Sequence, residues 1–546
     1  MENFRALRTA TLDLDDSTTV LVGENDCGKS SLLNALDACL GRAAPPGGFR
    51  FSPLDFHRSR PGGPPEGPIR IEIALREDEP PEGPEPPWPL LREAGLQGRE
   101  GRLDFRLVVQ ARMEPGQEPR TSFHLEGPGP VQGDPEVLLA ELRRVVPFLR
   151  IRAAVLRPAP GPARDGGSIP EHAARQQVEW EIRQAYAELL EDPDRMSEES
   201  LGAAREALDG VLGQLERMVR PEPPPDLEDR LEAPLSSSTP WHRMAGMLRG
   251  SGARSLAMLA FTGAFLEARG QERLSPDARP VVSIEDPEAY LHPLMLTSVW
   301  SLIQRLPAQR LVTTNSSDLL SAIPLGSLRR MVRDLRGEAR LFRVPPGAMG
   351  LNDLRRIAYH LRVRRGTALF MRFWLLVEGE TEFWLLPEAA RALDLDLFQE
   401  GVELVEFAQC GLEPLAALAN HLGLGWHLLA DGDGAGRHYA ERARPLAREG
   451  LGAVTLLEER DMEHCFWFSG YERVFREAAE LGPRARRGEK PRDVIDRAIK
   501  RLSKPRLALT LGRAMTAPGS PGVPEALERM LRAAVRGARH GASGGR

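Results

Sequence analysis

The sequence predicts an α/β protein whose functional loops stand at the carboxyl ends of buried parallel strands. Three observations carry that expectation. Residues 18–22 form an apolar run that enters a glycine loop and then a helical stretch, 31–40. Far downstream, residues 280–286 are a second apolar run, ending in two acids. In the last third, residues 375–382 and 428–436 are apolar runs that break off into carboxylates and glycines. Strands so uniformly apolar are covered on both faces, and open α/β sheets place their sites at the strands' carboxyl ends.

A chain of 546 residues holds two or three domains, and 41% hydrophobic with 27% charged residues is the balance of a soluble protein. No apolar run approaches the length of a membrane span, and the amino end has no signal-peptide core. Cys27, Cys39, Cys410 and Cys465 form no CxxC pair, so neither a zinc site nor a disulfide framework is expected. The expected location is the cytoplasm, with no membrane partner.

The first loop reads Gly23-Glu24-Asn25-Asp26-Cys27-Gly28-Lys29-Ser30 and matches GxxxxGK[ST], with a strand before it and a helix, closed by Gly41, after it. ATP with Mg²⁺ is the expected ligand. Backbone amides around Asn25, Gly28 and Ser31 would cradle the phosphates, Lys29 would reach the β- and γ-phosphates, and Ser30 would ligate Mg²⁺. Lysine is otherwise found only at 490, 500 and 504, so this arginine-preferring chain keeps a compact point charge where the loop needs one. Glu285 and Asp286 end the downstream strand as in a Walker B element. Glu285 would sit near Mg²⁺, directly or through water, and Asp286 would polarise the attacking water. Residues 311–316 supply the next strand and a switch loop carrying Asn315.

Between these halves, residues 61–89 are rich in Pro, Gly and Glu around a strand expected at 69–75. Residues 171–220 read as helical, interrupted near Asp192-Pro193-Asp194, with an apolar stripe at Leu201, Ala204, Leu208, Leu212, Leu215 and Val219. A basic helical connector, 355–372, leads into the acidic loops. Glu378 and Glu382 project from a strand end and the first turn of the next helix. Asp431 and Asp433 supply a second pair, and a third strand, 453–457, leads to Asp461-Met462-Glu463. These are hard oxygen ligands suited to Mg²⁺ or Mn²⁺, and Arg437 is the only arginine close enough in sequence to offer a salt-bridge account. From 483 to 546 the chain carries sixteen lysines and arginines against five acids, which suggests a phosphate-backbone partner.

The two acidic loops resemble the Toprim metal site of topoisomerases, primases and certain nucleases. The glycine loop and its downstream acids resemble the ABC-type ATPase heads of the RecF and SMC group. Asn3-Phe4-Arg5 and the Glu-Asp-Pro-Glu-x-x-Leu-His-Pro stretch at 285–293 resemble the OLD (overcoming lysogenization defect) family, in which such an ATPase precedes a Toprim nuclease. The resemblance implies an ABC-type head in two parts, 1–170 and 236–365. A helical dimerisation segment, 171–235, lies between them, and a parallel-sheet, Rossmann-like Toprim domain with a basic helical tail follows at 366–546. It also implies that Arg5 belongs to the nucleotide site and that Ser251, in Gly250-Ser251-Gly252-Ala253-Arg254, serves a nucleotide held by the other subunit. Glu463, with Asp461 as competitor, takes the third acidic place, Lys504 stabilises charge on the scissile phosphate, and Ca²⁺ is a further candidate cation. The chain departs from the family at Asp286, where Glu is usual, at Asn315, where His is usual, and at Arg254, where Gln is usual. These departures bear on the rate of ATP hydrolysis more than on ATP binding.

The expected activity is therefore two-metal hydrolysis of DNA coupled to an ATPase, in a homodimer acting in phage defence or DNA processing, with a helicase as a further partner. No tyrosine is placed as a topoisomerase nucleophile and no zinc-ribbon cysteines support a primase. Two other classes stay open: a RecF-like repair ATPase with an inactive Toprim domain, and a nucleotide-dependent assembly scaffold.

Overall fold

The computed structural model describes residues 1–152 and 274–540, apart from 26, 42–48, 61–62, 81–86, 115–116, 276, 289–295, 297–299, 301–302, 305, 307, 334–337, 365, 449–451 and 481–488. The helical stretch 171–220 and Ser251 lie outside the described residues. The chain divides into two units, Met1–Ala322 and Ile323–Arg546.

In the first unit, an antiparallel sheet runs β2-β1-β4-β5-β6. Its strands are β1 (Glu2–Phe4), β2 (Leu7–Thr9), β4 (Ile69–Arg76), β5 (Asp104–Arg112) and β6 (Arg120–Glu126). The strand expected at 69–75 is β4. It alternates more and less buried side chains along its length, as a strand with one solvated face should. The parallel strands that carry the glycine loop and the downstream acids are β3 (Thr18–Gly23), β9 (Gln309–Thr313), β8 (Val281–Glu285) and β7 (Phe148–Arg152), neighbours in that order. Every residue of β3 is buried, which explains the apolar run Val20-Leu21-Val22 at its centre. Helix α1 (Lys29–Leu40) follows, and Gly28 at φ 108° makes the turn into it, a backbone shape for which glycine is suited.

In the second unit, β10 (Leu328–Arg333) and β11 (Ala339–Arg343) form a hairpin. Arg330 is buried and donates to the carbonyls of Leu422 (3.0 Å), Gly423 (3.1 Å) and Met371 (2.8 Å). Where the sequence suggested one helical connector over 355–372, a helix, Leu351–Arg364, is followed by a 3-10 turn, Gly366–Phe370. Four parallel strands follow in the order β13-β12-β14-β15: β12 (Phe373–Val377), β13 (Val402–Glu406), β14 (Gly425–Ala430) and β15 (Gly452–Leu456). Trp374 and Trp426 are wholly buried, and each indole N–H has a partner, Ala368 O at 2.8 Å and Asn420 Oδ1 at 3.0 Å. The core gathers Leu375 and Val377 of β12, Leu385 and Leu386 of α2 (Glu380–Ala392), Leu507 and Leu511 of α5 (Lys504–Met515), and Leu531 of α6 (Glu525–His540). Helix α5 approaches α2 closely, since a Cβ on Gly512 would stand 2.8 Å from Glu388 Cβ.

The basic tail is less open than its charge count suggests. Among its described residues, Arg497 pairs with Glu489 (3.4 Å), Arg529 with Glu525 (3.3 Å), Arg532 with Glu528 (2.8 Å), and Arg501 and Arg539 with Glu480 and Glu400. Among the described residues, no helix is long and apolar enough to cross a membrane.

Candidate functional site

In the second unit, β12 and β14 are parallel neighbours with Leu376 opposite Leu428, so Glu378 and Asp431 emerge from the same edge of the sheet. Glu382 stands in the first turn of α2 and is only 7% exposed. Glu463, 6% exposed, lies in α4 (Met462–Phe466), where its Oε1 accepts from Thr381 Oγ1 at 3.1 Å. Lys504 Nζ, at the start of α5, stands 3.9 Å from that same oxygen. Ser503 just before it has φ 61° and ψ 156°, a left-handed shape costly for a residue other than glycine.

The electrostatics tie these groups together. Asp431 is pushed up to about 8, first by burial and then by the negative charges of Glu382, Asp461, Glu378 and Glu463. Burial also raises Glu382, with Glu463 adding to it, and raises Glu378, with Asp433 adding to it, while Lys504 opposes both shifts. Asp433 and Asp461 each commit an oxygen to a helix start. Asp433 Oδ1 accepts from Gly436 N–H at 2.8 Å and caps α3 (Gly434–Ala443), and Asp461 Oδ1 accepts from His464 N–H at 2.9 Å. Asp461 Oδ1 also lies 2.6 Å from His464 Nδ1. Of the two acids considered for the third place, Glu463 is the one beside Lys504.

The glycines of the Asp431 loop allow close backbone approach. A Cβ on Gly436 would stand 1.9 Å from Asp431 O, and one on Gly432 would stand 2.3 Å from Glu459 O. Among the described residues, no three His, Cys, Asp or Glu side chains are already drawn into a cation cage. The donor set nevertheless suits a hard divalent cation: it is all carboxylate, Asp431, Glu378 and Glu382 are each raised by burial and by acidic neighbours, and carboxylates so placed repel unless positive charge stands among them. Thr381 had no role in the sequence reading. The signal for it was a hydroxyl set between two acids in a first helical turn.

In the first unit, Lys29 Nζ donates to Gly23 O at 2.5 Å and Glu24 O at 3.0 Å, folding the lysine over its own loop. Asn25 and Ser30 are exposed there. Ser31 is turned elsewhere: it is 8% exposed, and its Oγ accepts from Ala6 N–H at 3.4 Å. Arg5 lies in the same turn, where its Nε donates to Asp55 Oδ1 at 2.7 Å. Asp286 takes φ 46° and donates its N–H to Thr313 O at 3.0 Å. Its carboxyl is raised by burial and then by Glu288, with Lys29 opposing. Asn315 donates its backbone N–H to Glu288 Oε1 at 2.7 Å, and its Nδ2 stands 3.5 Å from Asp286 Oδ1. Glu288 Oε2 is buried with no hydrogen-bond partner among the described residues. That orphaned oxygen, on a carboxylate that holds Asn315 and acts on Asp286, fits a site made for a ligand that brings its own donors or cation.

Sequence reasoning also missed Arg150. Its Nε donates to Glu285 Oε1, its Nη2 to Glu285 Oε2 at 3.0 Å, and its Nη1 to Asn34 Oδ1. The available signal was an arginine set between the apolar Phe148-Leu149 and Ile151, because a charge buried there requires a partner.

Residues 1–368 match a family model described as "Protein of unknown function (DUF2813)", and residues 369–433 match one described as "Overcoming lysogenization defect protein-like, TOPRIM domain". The chain is 32% identical over 548 residues to the "Uncharacterized protein YbjD" of Escherichia coli (strain K12), with 97% of this chain and 96% of that protein covered. Among solved structures, it is similar to the C-terminal region of the Burkholderia pseudomallei OLD protein, at 20% identity over 30% of this chain and 99% of that one, with a TM-score of 0.25. It is also similar to the SMC head domain from Thermotoga maritima, at 13% identity over 63% of this chain and 96% of that one, with a TM-score of 0.31.

Proposed function

The chain belongs to the DUF2813 family and carries an OLD-like TOPRIM domain, and from that premise we propose that it is an ATP-hydrolysing, metal-dependent DNA endonuclease. The observation that carries the proposal is the gathering of carboxylates around Asp431, where Asp431, Glu378 and Glu382 are raised by burial and acidic neighbours, with Lys504 beside Glu463. Glu378, Glu382, Asp431, Asp433 and Glu463 would hold Mg²⁺, or Mn²⁺ or Ca²⁺ in its place. Bound there, cations supply an activated water and stabilise the leaving oxygen of a phosphodiester.

The chain's own residues do the rest. Lys504 offers its ammonium to the phosphate charge that grows during cleavage. Thr381 holds Glu463 in one orientation, and Asp433 and Asp461 fix the helix starts that frame the loops. In the nucleotide site, Lys29 and Ser30 would engage the phosphates and Mg²⁺, Glu285 would face the cation, and Asp286 with Asn315 would orient water. The proposed organisation keeps the ATPase in 1–170 and 236–365, the dimerisation segment in 171–235 and the nuclease in 366–546. DNA is the substrate, a second copy of the chain is the partner, and phage defence or DNA processing in the cytoplasm is the role.

The test is cleavage of supercoiled and linear DNA under Mg²⁺, Mn²⁺ and Ca²⁺, with and without ATP. Metal-dependent cleavage supports the reading. Persistent DNA binding without cleavage under any cation would replace it with a repair clamp.

A further inference from the structure

Arg150 sits in the third position of β7, with its side chain only 8% exposed, and Glu285, whose carboxylate it grips at both oxygens, is 16% exposed. A two-point guanidinium fork fixes a carboxylate in angle as well as distance. The third arm of the fork reaches α1, where Nη1 donates to Asn34 Oδ1, and Asp37 lies 3.8 Å away. Ser30, Asn34 and Asp37 are spaced so that they share one face of α1, one turn apart. Arg150 thus stands against the helix face that begins with Ser30 and, at its other end, against the acid that ends β8. Those are the two elements from which the site would reach a single Mg²⁺.

We propose that Arg150 is a positioning residue of the nucleotide site, setting the spacing between Ser30 and Glu285 and thereby the site's hold on magnesium. The inference rests on the reading of this loop as an ATP site. Arg150 touches neither phosphate nor cation; it acts through Glu285 and through α1. Lysine at this position would keep the charge and lose the fork, so the geometry alone is altered.

The experiment uses the full chain with Arg150→Lys and Asn34→Ala, a fluorescent ATP analogue and a magnesium titration, beside a parallel titration in chelator and a melting curve. Arg150→Lys should raise the half-saturating magnesium concentration on the order of tenfold, as loss of a partner behind a metal ligand does. Asn34→Ala, which cuts only the α1 arm, should raise it less. Nucleotide binding in chelator should stay unchanged for both, an outcome that a general loosening of the fold does not give. Unchanged magnesium dependence in a folded variant overturns the inference, and so does a lowered half-saturation, which would mean that Arg150 competes with the cation. Should Arg150→Lys fail to fold, Asn34→Ala decides alone. A wild-type chain that binds no nucleotide under either condition would instead remove the ATP-site reading on which the inference stands.

Discussion

At the scale of single residues, Asp431 concentrates the chemistry. Buried and ringed by acids, its carboxyl is held at about 8, so near neutral pH it keeps its proton until a cation replaces it. Cation binding should therefore release a proton and tighten as pH rises toward 8, a dependence that Asp431→Asn should erase in calorimetry run in buffers of different ionisation enthalpy. The stability consequence has a definite sign. The folded value lies above the unfolded one, so the contribution is complete at acid pH and is lost as pH climbs through about 8. In chelator, the melting temperature should fall across that window, and less so in Asp431→Asn. For catalysis, Asp431→Ala or Glu378→Ala should lower DNA cleavage by orders of magnitude and leave ATP hydrolysis near normal. Full cleavage by both variants, in preparations free of contaminating nuclease, would sink the nuclease assignment.

At the scale of elements, the loop after β14 shows what local pattern reveals and what it hides. Its alternation of Asp and Gly announced a strand end rich in oxygen ligands. It did not say which glycine is indispensable, because that depends on what the fold brings against each one. A Cβ on Gly436 would meet Asp431 O at 1.9 Å, whereas one on Gly434 meets nothing within 4 Å. Gly436→Ala should destabilise the unit by about 3 kcal/mol or more and impair cation binding, while Gly434→Ala should be nearly silent in both melting and binding. The strands were legible for a simple reason: β3, β8, β12 and β14 are almost wholly buried and so are mainly apolar. The partners of their terminal acids were not, since Arg150 and Glu285 lie far apart in sequence and meet only through the pairing of β7 with β8. Thr381 and Glu463 were hidden in the same way, by a contact across 82 positions.

For the whole molecule, the prediction is separability. The nucleotide loop and the carboxylate cluster belong to different units, and each assembles its own ligand groups. Lys29→Ala should abolish ATP hydrolysis and leave metal-dependent cleavage largely intact; equal loss of both in a well-folded variant would show obligate coupling. Assembly is a separate matter. Deleting 171–220 should turn a dimer into a monomer by light scattering, since the apolar stripe in that sequence calls for a partner helix, and an unchanged dimer would move the interface elsewhere. The net charge of the tail left its pairing unread. A count of arginines cannot see that Arg501 and Arg539 meet Glu480 and Glu400, acids outside the stretch that was counted.

The order of assembly follows from where Lys504 stands in the chain. It is synthesised about seventy residues after Asp431, which at ribosomal speed is a delay on the order of several seconds. During that interval the acidic edge of β12 and β14 can form while the lysine beside Glu463 does not yet exist. The face of α2 that receives Gly512 is still bare, and the last helix, which packs against β12 and β14, comes later still. A nascent chain at this stage presents an apolar helix face and crowded carboxylates together. Apolar surface exposed in this way during synthesis is prone to aggregation.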